Sequence, residues 1–263
     1  MDCLNYTIDK CVEAFSTMRE GMPPFSVLQP HQTHTDNVVV VERRDMTRED
    51  LLGVDALVTN LPDFGIAVRT ADCVPILMYD GRNGVIAAVH SGWKGTVAKI
   101  SQKTIRVMEE RFGTETVDVK AVIGPSIGPD SFQVGSEVAD KFCEAGFPME
   151  EILTDRGPKE EGTMNGGLHI DLWKANQFLL EEMGVSAPVA EQPVQKDGGR
   201  GPHGEMIVSV HPPEGRKDGA AALQHLRSDA MPGPQQEEHG PVRKMAADLI
   251  ECRRRSAFPV FSI

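Results

Sequence analysis

Three apolar runs succeed one another in the first half of the chain, Gly65-Ile-Ala-Val-Arg69, Pro75-Ile-Leu-Met-Tyr79 and Val85-Ile-Ala-Ala-Val89. Each is short, rich in aliphatic side chains and bounded by polar or turn-forming residues, which predicts buried β-strands. Asp80-Gly-Arg-Asn-Gly84 lies between the second and third and predicts the turn that folds one back on the other. From Thr96 the period changes: Val97, Ile100, Ile105, Met108 and Phe112 fall on one face and Gly113 follows, the pattern of an amphipathic helix with a C-terminal glycine. A strand over 117–123, a loop at Gly124-Pro-Ser-Ile-Gly-Pro129 and a helix over 136–145 are predicted next. A further helix over 171–183 carries Leu172, Ala175, Leu179 and Met183 on one face and has Gly184 as its stop. Strands and helices interspersed in this way predict an α/β (α+β layered) domain, a mixed sheet flanked by helices.

The pattern fades after about residue 187. The last 77 residues hold nine of the 18 prolines, eight glycines and four of the eight histidines, while Ile, Leu, Val and Phe supply only 14. That share is below the level of about 20% at which building a core becomes difficult. The expected organisation is therefore one folded domain over 1–186 and an irregular Pro/Gly-rich segment over 187–263. Acidic and basic residues balance in the segment, so the net charge of -12 belongs to the first 186 residues. An acidic body with scattered Lys and Arg excludes a broad nucleic-acid surface, and the run Arg253 to Arg255 reads as a solvated cluster. The first residues carry no apolar signal region and no apolar stretch approaches the roughly 20 residues needed to span a bilayer. The expectation is a cytoplasmic protein that engages neither membrane nor nucleic acid. Five cysteines at irregular spacing argue against a disulfide framework.

Candidate chemistry gathers around two of the predicted strands. Cys73 precedes the second, His90 follows the third, and the intervening turn brings those two ends to one sheet edge. Gln32-Thr-His34-Thr lies upstream. His34, Cys73 and His90 are separated by about 40 and 17 residues, too far apart for a local zinc finger, but together they offer two imidazoles and a thiolate. That donor set can hold a catalytic zinc and leave its fourth position open.

The motifs Gln32-Thr-His34, Gly53-Val-Asp55-Ala-Leu-Val-Thr59, Arg69-Thr-Ala-Asp-Cys73-Val-Pro-Ile, Ala88-Val-His90-Ser-Gly-Trp93-Lys-Gly95, Ile123-Gly-Pro-Ser-Ile-Gly128 and His169-Ile-Asp-Leu-Trp-Lys-Ala-Asn176 occur in this order. With them, the chain from about 12 to 184 resembles the laccase-domain proteins, also called multicopper-polyphenol-oxidase-like proteins, which include FAMIN-type purine nucleoside phosphorylases. The resemblance implies a zinc site at His34, Cys73 and His90. It also implies an enzyme that phosphorolyses adenosine, inosine and methylthioadenosine and deaminates adenosine. Its small-molecule partners would be a purine nucleoside and phosphate. After the helix over 171–183 the family continues with a Cys-containing strand and a Phe-Phe-Ser-x-Arg-Arg-like segment, which this chain lacks.

Deamination by such a site needs a proton carrier, for which Asp72 and Asp55 are the candidate carboxylates; both also suit the capping of turns. Phosphorolysis needs a cation for phosphate, and Arg69 and Lys94 flank the expected centre. Trp93 could stack on the purine or simply pack. His31 and His169 are neighbours of the motifs with ordinary structural readings. The histidines at 203, 211, 225 and 239 show no partner pattern.

Other readings use the same residues. Two histidines and a cysteine also form a blue-copper set, so a copper-dependent polyphenol oxidase is the principal alternative. A multicopper oxidase, however, needs a cluster fed by paired histidines, and no His-x-His pair is present. Cys73 with His90 could act as a metal-free nucleophile and base, or the fold could serve as an inactive scaffold.

Overall fold

A computed structural model describes residues 3–17, 26–158, 166–185, 187 and 204–210. All of these fall within one compact unit, Met1–Pro212. The strands are β1 (Cys3–Tyr6), β2 (Val12–Thr17), β3 (Val27–Leu28), β4 (Val38–Val40), β5 (Ala56–Thr59), β6 (Phe64–Thr70), β7 (Val74–Asp80), β8 (Val85–Ser91), β9 (Val119–Ile123), β10 (Gln133–Val134), β11 (Leu153–Asp155), β12 (Leu168–Ile170) and β13 (Gly204–Val210). The helices are α1 (Trp93–Val97), α2 (Ile100–Phe112), α3 (Ser136–Glu144), α4 (Met149–Ile152) and α5 (Leu172–Glu182).

The mixed α/β architecture expected from the pattern is the one the chain adopts. Its centre is a five-stranded sheet in the order β4-β5-β8-β7-β9, parallel only between β4 and β5. The runs β7 and β8 are buried from end to end because both faces of this sheet are covered. Ile76, Met78, Ala87 and Val89 pack with Ile105 and Met108 of α2, Phe142 of α3 and Leu179 of α5. Leu77, Tyr79, Ile86 and Ala88 face the other way and pack with Val12 and Ala14 of β2 and Ile66 and Val68 of β6.

That second layer is another five-stranded sheet, β1-β2-β13-β6-β3, which the apolar pattern does not reveal as a separate layer. Its interior strand β13 lies inside the segment read as irregular from composition. Residues 204–210 pair antiparallel with β6, from Gly204 opposite Thr70 to Val210 opposite Phe64, and residues 206–210 pair antiparallel with β2 on the other side. Average composition over 77 residues conceals a seven-residue strand that supplies the sheet's middle. The rest of the segment beyond 187, including Arg253 to Arg255 and the histidines at 203, 211, 225 and 239, lies outside the described residues. A small third sheet, β10-β12-β11, precedes α5.

Three local features carry the chain toward the site. The β7–β8 turn is organised by Asp80, whose carboxylate accepts the N–H groups of Arg82 (2.8 Å) and Asn83 (3.1 Å). The resulting register sets Val74 opposite Ser91 and Pro75 opposite His90, so Cys73 stands beside the end of β8. The single helix expected from Thr96 is two helices, broken at Lys99 in the left-handed conformation (φ 60°). Gly95 in the first of them packs tightly: a Cβ there would come within 3.3 Å of Ile100 and 3.4 Å of the Thr35 carbonyl. Asp171 caps α5 by accepting the Lys174 N–H at 3.0 Å. Among the described residues Cys11 and Cys73 are free thiols. No helix among the described residues is long and apolar enough to cross a membrane.

Burial of both faces of β7 makes a distinctive prediction. Ile76→Ala and Leu77→Ala, whose side chains enter opposite cores, should each lower unfolding free energy by about 2–5 kcal/mol in denaturant titrations. A strand with one wet face would instead show a large loss at one position and almost none at its neighbour.

Candidate metal centre

His34, Cys73 and His90 converge: one donor atom from each lies within 4.8 Å of the others. His90 is buried, Cys73 half-buried and His34 exposed, so the cluster opens on its His34 side. The His34 and His90 rings meet edge to face with centroids 5.0 Å apart. Gly92 follows the end of β8 and passes directly over the cluster. A Cβ at this position would sit 2.9 Å from Cys73 Sγ and 3.3 Å from the His34 ring, so any larger residue would have to push one of these side chains aside.

The arrangement is built around Asp55, which precedes β5 and is fully buried. One oxygen accepts the His34 N–H (3.1 Å) and His90 Nδ1–H (2.7 Å). The other accepts the N–H groups of Thr33 (3.3 Å) and Thr35 (2.7 Å) and lies 2.7 Å from the Thr35 hydroxyl. Three successive backbone N–H groups thus form a concave nest around one carboxylate. The nest requires His34 to take a left-handed conformation (φ 62°), uncommon for a residue with a side chain. The Asp55 carbonyl accepts the His90 N–H at 2.8 Å, tying the same residue to β8 a second time.

Burial alone would raise the Asp55 pKa, but the hydrogen bonds from His90 and Thr35 hold the carboxyl well below the usual range. Burial works against protonation of His90, yet Asp55 and Cys73 outweigh it and push its pKa up to about 9. The His34 pKa is lowered, by burial first and by its neighbour His90 second.

The other expected residues occupy varied places. Asp55 is offered by the sequence as a proton carrier; its oxygens are instead committed to the nest and to His90, with no surface open to solvent. Asp72 is half-buried beside Cys73, and its carbonyl accepts the Ile127 N–H at 2.9 Å. Arg69 is exposed on β6, its backbone held at both ends by Gln32: the side-chain amide donates to its carbonyl (2.9 Å) and accepts its N–H (2.8 Å). Lys94 is exposed, with its ammonium 5.8 Å from the centre of the half-buried Trp93 ring. His31 is exposed and bridges Leu52. His169 is buried in β12, where Nδ1 donates to the Gly167 carbonyl at 3.2 Å; it is not part of the cluster. The supporting roles of Gln32, Thr35 and Gly92 are not apparent from residue type, although each sits inside a motif that also carries a candidate ligand.

This donor set fits a zinc ion. Two imidazoles and a thiolate are a three-ligand catalytic complement. The hydrogen bond from His90 Nδ1 to Asp55 leaves Nε2 to coordinate, the orientation that a carboxylate partner imposes on a metal-binding histidine. Copper accepts the same donors.

The family model described as multi-copper polyphenol oxidoreductase laccase matches residues 9–194. A purine nucleoside phosphorylase of Bacteroides thetaiotaomicron is 43% identical over 182 residues, covering 66% of this chain and 65% of that protein. Adenosine deaminase RL5, from an unknown prokaryotic organism, is 39% identical over 176 residues, covering 65% and 64%. The chain thus spans a little under two thirds of the length of these relatives. The crystal structure of the hypothetical protein YfiH from Bacillus licheniformis shares the fold with a TM-score of 0.64 at 22% identity, covering 76% of this chain and 92% of that one. With a match over more than half its length and the ordered motifs in place, the chain belongs to the multi-copper polyphenol oxidoreductase laccase family.

Proposed function

We propose that this protein is a zinc-dependent purine nucleoside phosphorylase acting on adenosine, inosine and methylthioadenosine, with adenosine deaminase activity. The carrying observation is the convergence of His34, Cys73 and His90 within 4.8 Å around a histidine aligned by a buried carboxylate. Relatives named purine nucleoside phosphorylase and adenosine deaminase support the choice of substrate.

His34, Cys73 and His90 would hold the zinc, which when bound supplies Lewis-acid activation of an oxygen nucleophile. Asp55 serves as a positioning residue that fixes His90 and the backbone carrying His34. In phosphorolysis a phosphate oxygen bonds to the anomeric carbon as the bond to the purine nitrogen breaks. The purine leaves with the electron pair and gains a proton. Arg69 and Lys94 are the cations proposed to neutralise phosphate, and the Trp93 ring, already paired with Lys94, offers a face to the base. In deamination water adds to the ring carbon bearing the amine, and ammonia leaves after receiving a proton. Asp72, next to Cys73, is the carboxylate proposed to carry it.

The protein should be purified without added metal and assayed for bound zinc and copper. Products from adenosine and phosphate are then followed by chromatography. Adenine with ribose 1-phosphate, together with inosine, should form, and Cys73→Ala or His90→Ala should lower kcat/KM by about a hundredfold or more. Gly92→Ala should act in the same direction, because the added methyl pushes on Cys73 and His34. Absence of purine products, with copper-loaded protein oxidising phenols in a Cys73-dependent manner, would overturn the proposal in favour of the polyphenol oxidase.

Zinc affinity should also depend on pH in a defined direction. A metal requires neutral His90, whereas Asp55 and Cys73 favour its protonated form up to about 9. Affinity measured against a competing chelator should therefore rise by at least about tenfold per unit from pH 6.5 to 8.5. A flat profile above pH 7 would contradict this assignment.

A further inference from the structure

We propose that helix α5 sets the separation of the two ligand-bearing arms of the metal centre, with Trp173 and Asn176 as positioning residues. The inference rests on the metal reading of His34, Cys73 and His90. It concerns residues one turn apart on a helix that supplies no ligand.

Trp173 governs the Cys73 arm. Its indole Nε1–H donates to Ser126 Oγ at 2.7 Å, and Ser126 is only 3% exposed. The loop containing Ser126 is stitched to the chain on both sides of Cys73. The Ile127 N–H donates to the Asp72 carbonyl and the Gly124 N–H to the Pro75 carbonyl, each at 2.9 Å. The edge of the indole also rests on Gly128, where a Cβ would lie 3.5 Å from Cη2. A shift of Trp173 is therefore passed through one partly buried hydrogen bond to the backbone bracketing the thiolate ligand.

Asn176 governs the His90 arm. It is fully buried and its amide is in use at both ends. Oδ1 accepts the hydroxyl of Ser91, the residue after His90, at 2.7 Å. Nδ2 donates to Thr96 Oγ1 at 3.2 Å and to the Leu172 carbonyl at 2.9 Å. Thr96 Oγ1 lies 3.0 Å from the carbonyl of Gly92, the residue that must pass close over Cys73 and His34. Such a network resists rearrangement because any displaced member leaves a buried polar group unpaired. Positions i and i+3 share a helix face, so one rigid element holds both arms at a fixed spacing.

The test is cobalt(II) binding to the full chain, read by competition with a chelator and by the thiolate-to-cobalt absorption band. Trp173→Phe and Ser126→Ala each remove one partner of the first tether, and Ser91→Ala removes a donor from the second. Each should weaken cobalt binding by about tenfold and shift the absorption band. The Trp173→Phe/Ser126→Ala double variant should lose less than the sum of the two single losses, since both share the Trp173–Ser126 bond. Glu181→Ala, on the exposed side of α5, should behave as wild type. Wild-type affinity and spectrum in the three tether variants would overturn the proposal; loss of binding in Cys73→Ala alone would then leave the metal reading standing. Additive losses in the double variant would also overturn the tether. Failure of the wild-type protein to bind cobalt would overturn both the tether and the metal reading.

Discussion

One buried carboxylate organises the candidate centre. Asp55 must be ionised to receive the N–H groups of residues 33 to 35 together with that of His90 Nδ1, and those donors in turn make its ionised form tolerable inside the protein. The same contacts place two potential ligands. His34 rides on the strained backbone that wraps the carboxylate, and His90 is turned so that its second ring nitrogen faces Cys73. An aspartate in this position acts through geometry, and its contribution cannot be exchanged for that of a freely placed charge.

The sandwich gives this polar arrangement a rigid surround. The central sheet is pressed between a second sheet and the layer of helices, so the β7–β8 register that juxtaposes Cys73 and His90 is held from both faces. The polar residues buried nearby do not float in the apolar layer. Ser91, Thr96 and Asn176 satisfy one another, and outside that layer, at the exposed surface, Gln32 satisfies both backbone groups of Arg69. Gln32, Ser91 and Thr96 each lie within a few residues of a candidate ligand or anion-binding side chain, and Asn176 reaches Ser91 and Thr96 from α5, linking packing to the chemistry proposed for the site.

Much of the architecture is legible in the sequence where one short-range rule decides it. The runs of β6, β7 and β8 announce themselves because they are apolar and closely spaced, and the Asp80 turn predicts the meeting of Cys73 and His90. His34 is a different matter: its place depends on a nest formed with Asp55, about twenty residues away, and no spacing rule encodes that contact. The same distance hides why Asp55 is committed to structure, since residue type alone fits a proton carrier equally well. Strand β13 is missed because its pairing with β2 and β6 is wholly non-local and its surroundings are rich in proline and glycine. The division of the amphipathic segment after Thr96 into α1 and α2 is hidden for a further reason. Its apolar spacing runs on through Lys99, whose left-handed backbone separates the two helices.

The central claim is that His34, Cys73 and His90 act as one metal centre, and X-ray absorption at the zinc edge of protein purified without added metal addresses it most directly. The account predicts two nitrogen ligands and one sulfur ligand at about 2.3 Å, with an oxygen in the fourth position. A first shell without sulfur would contradict it.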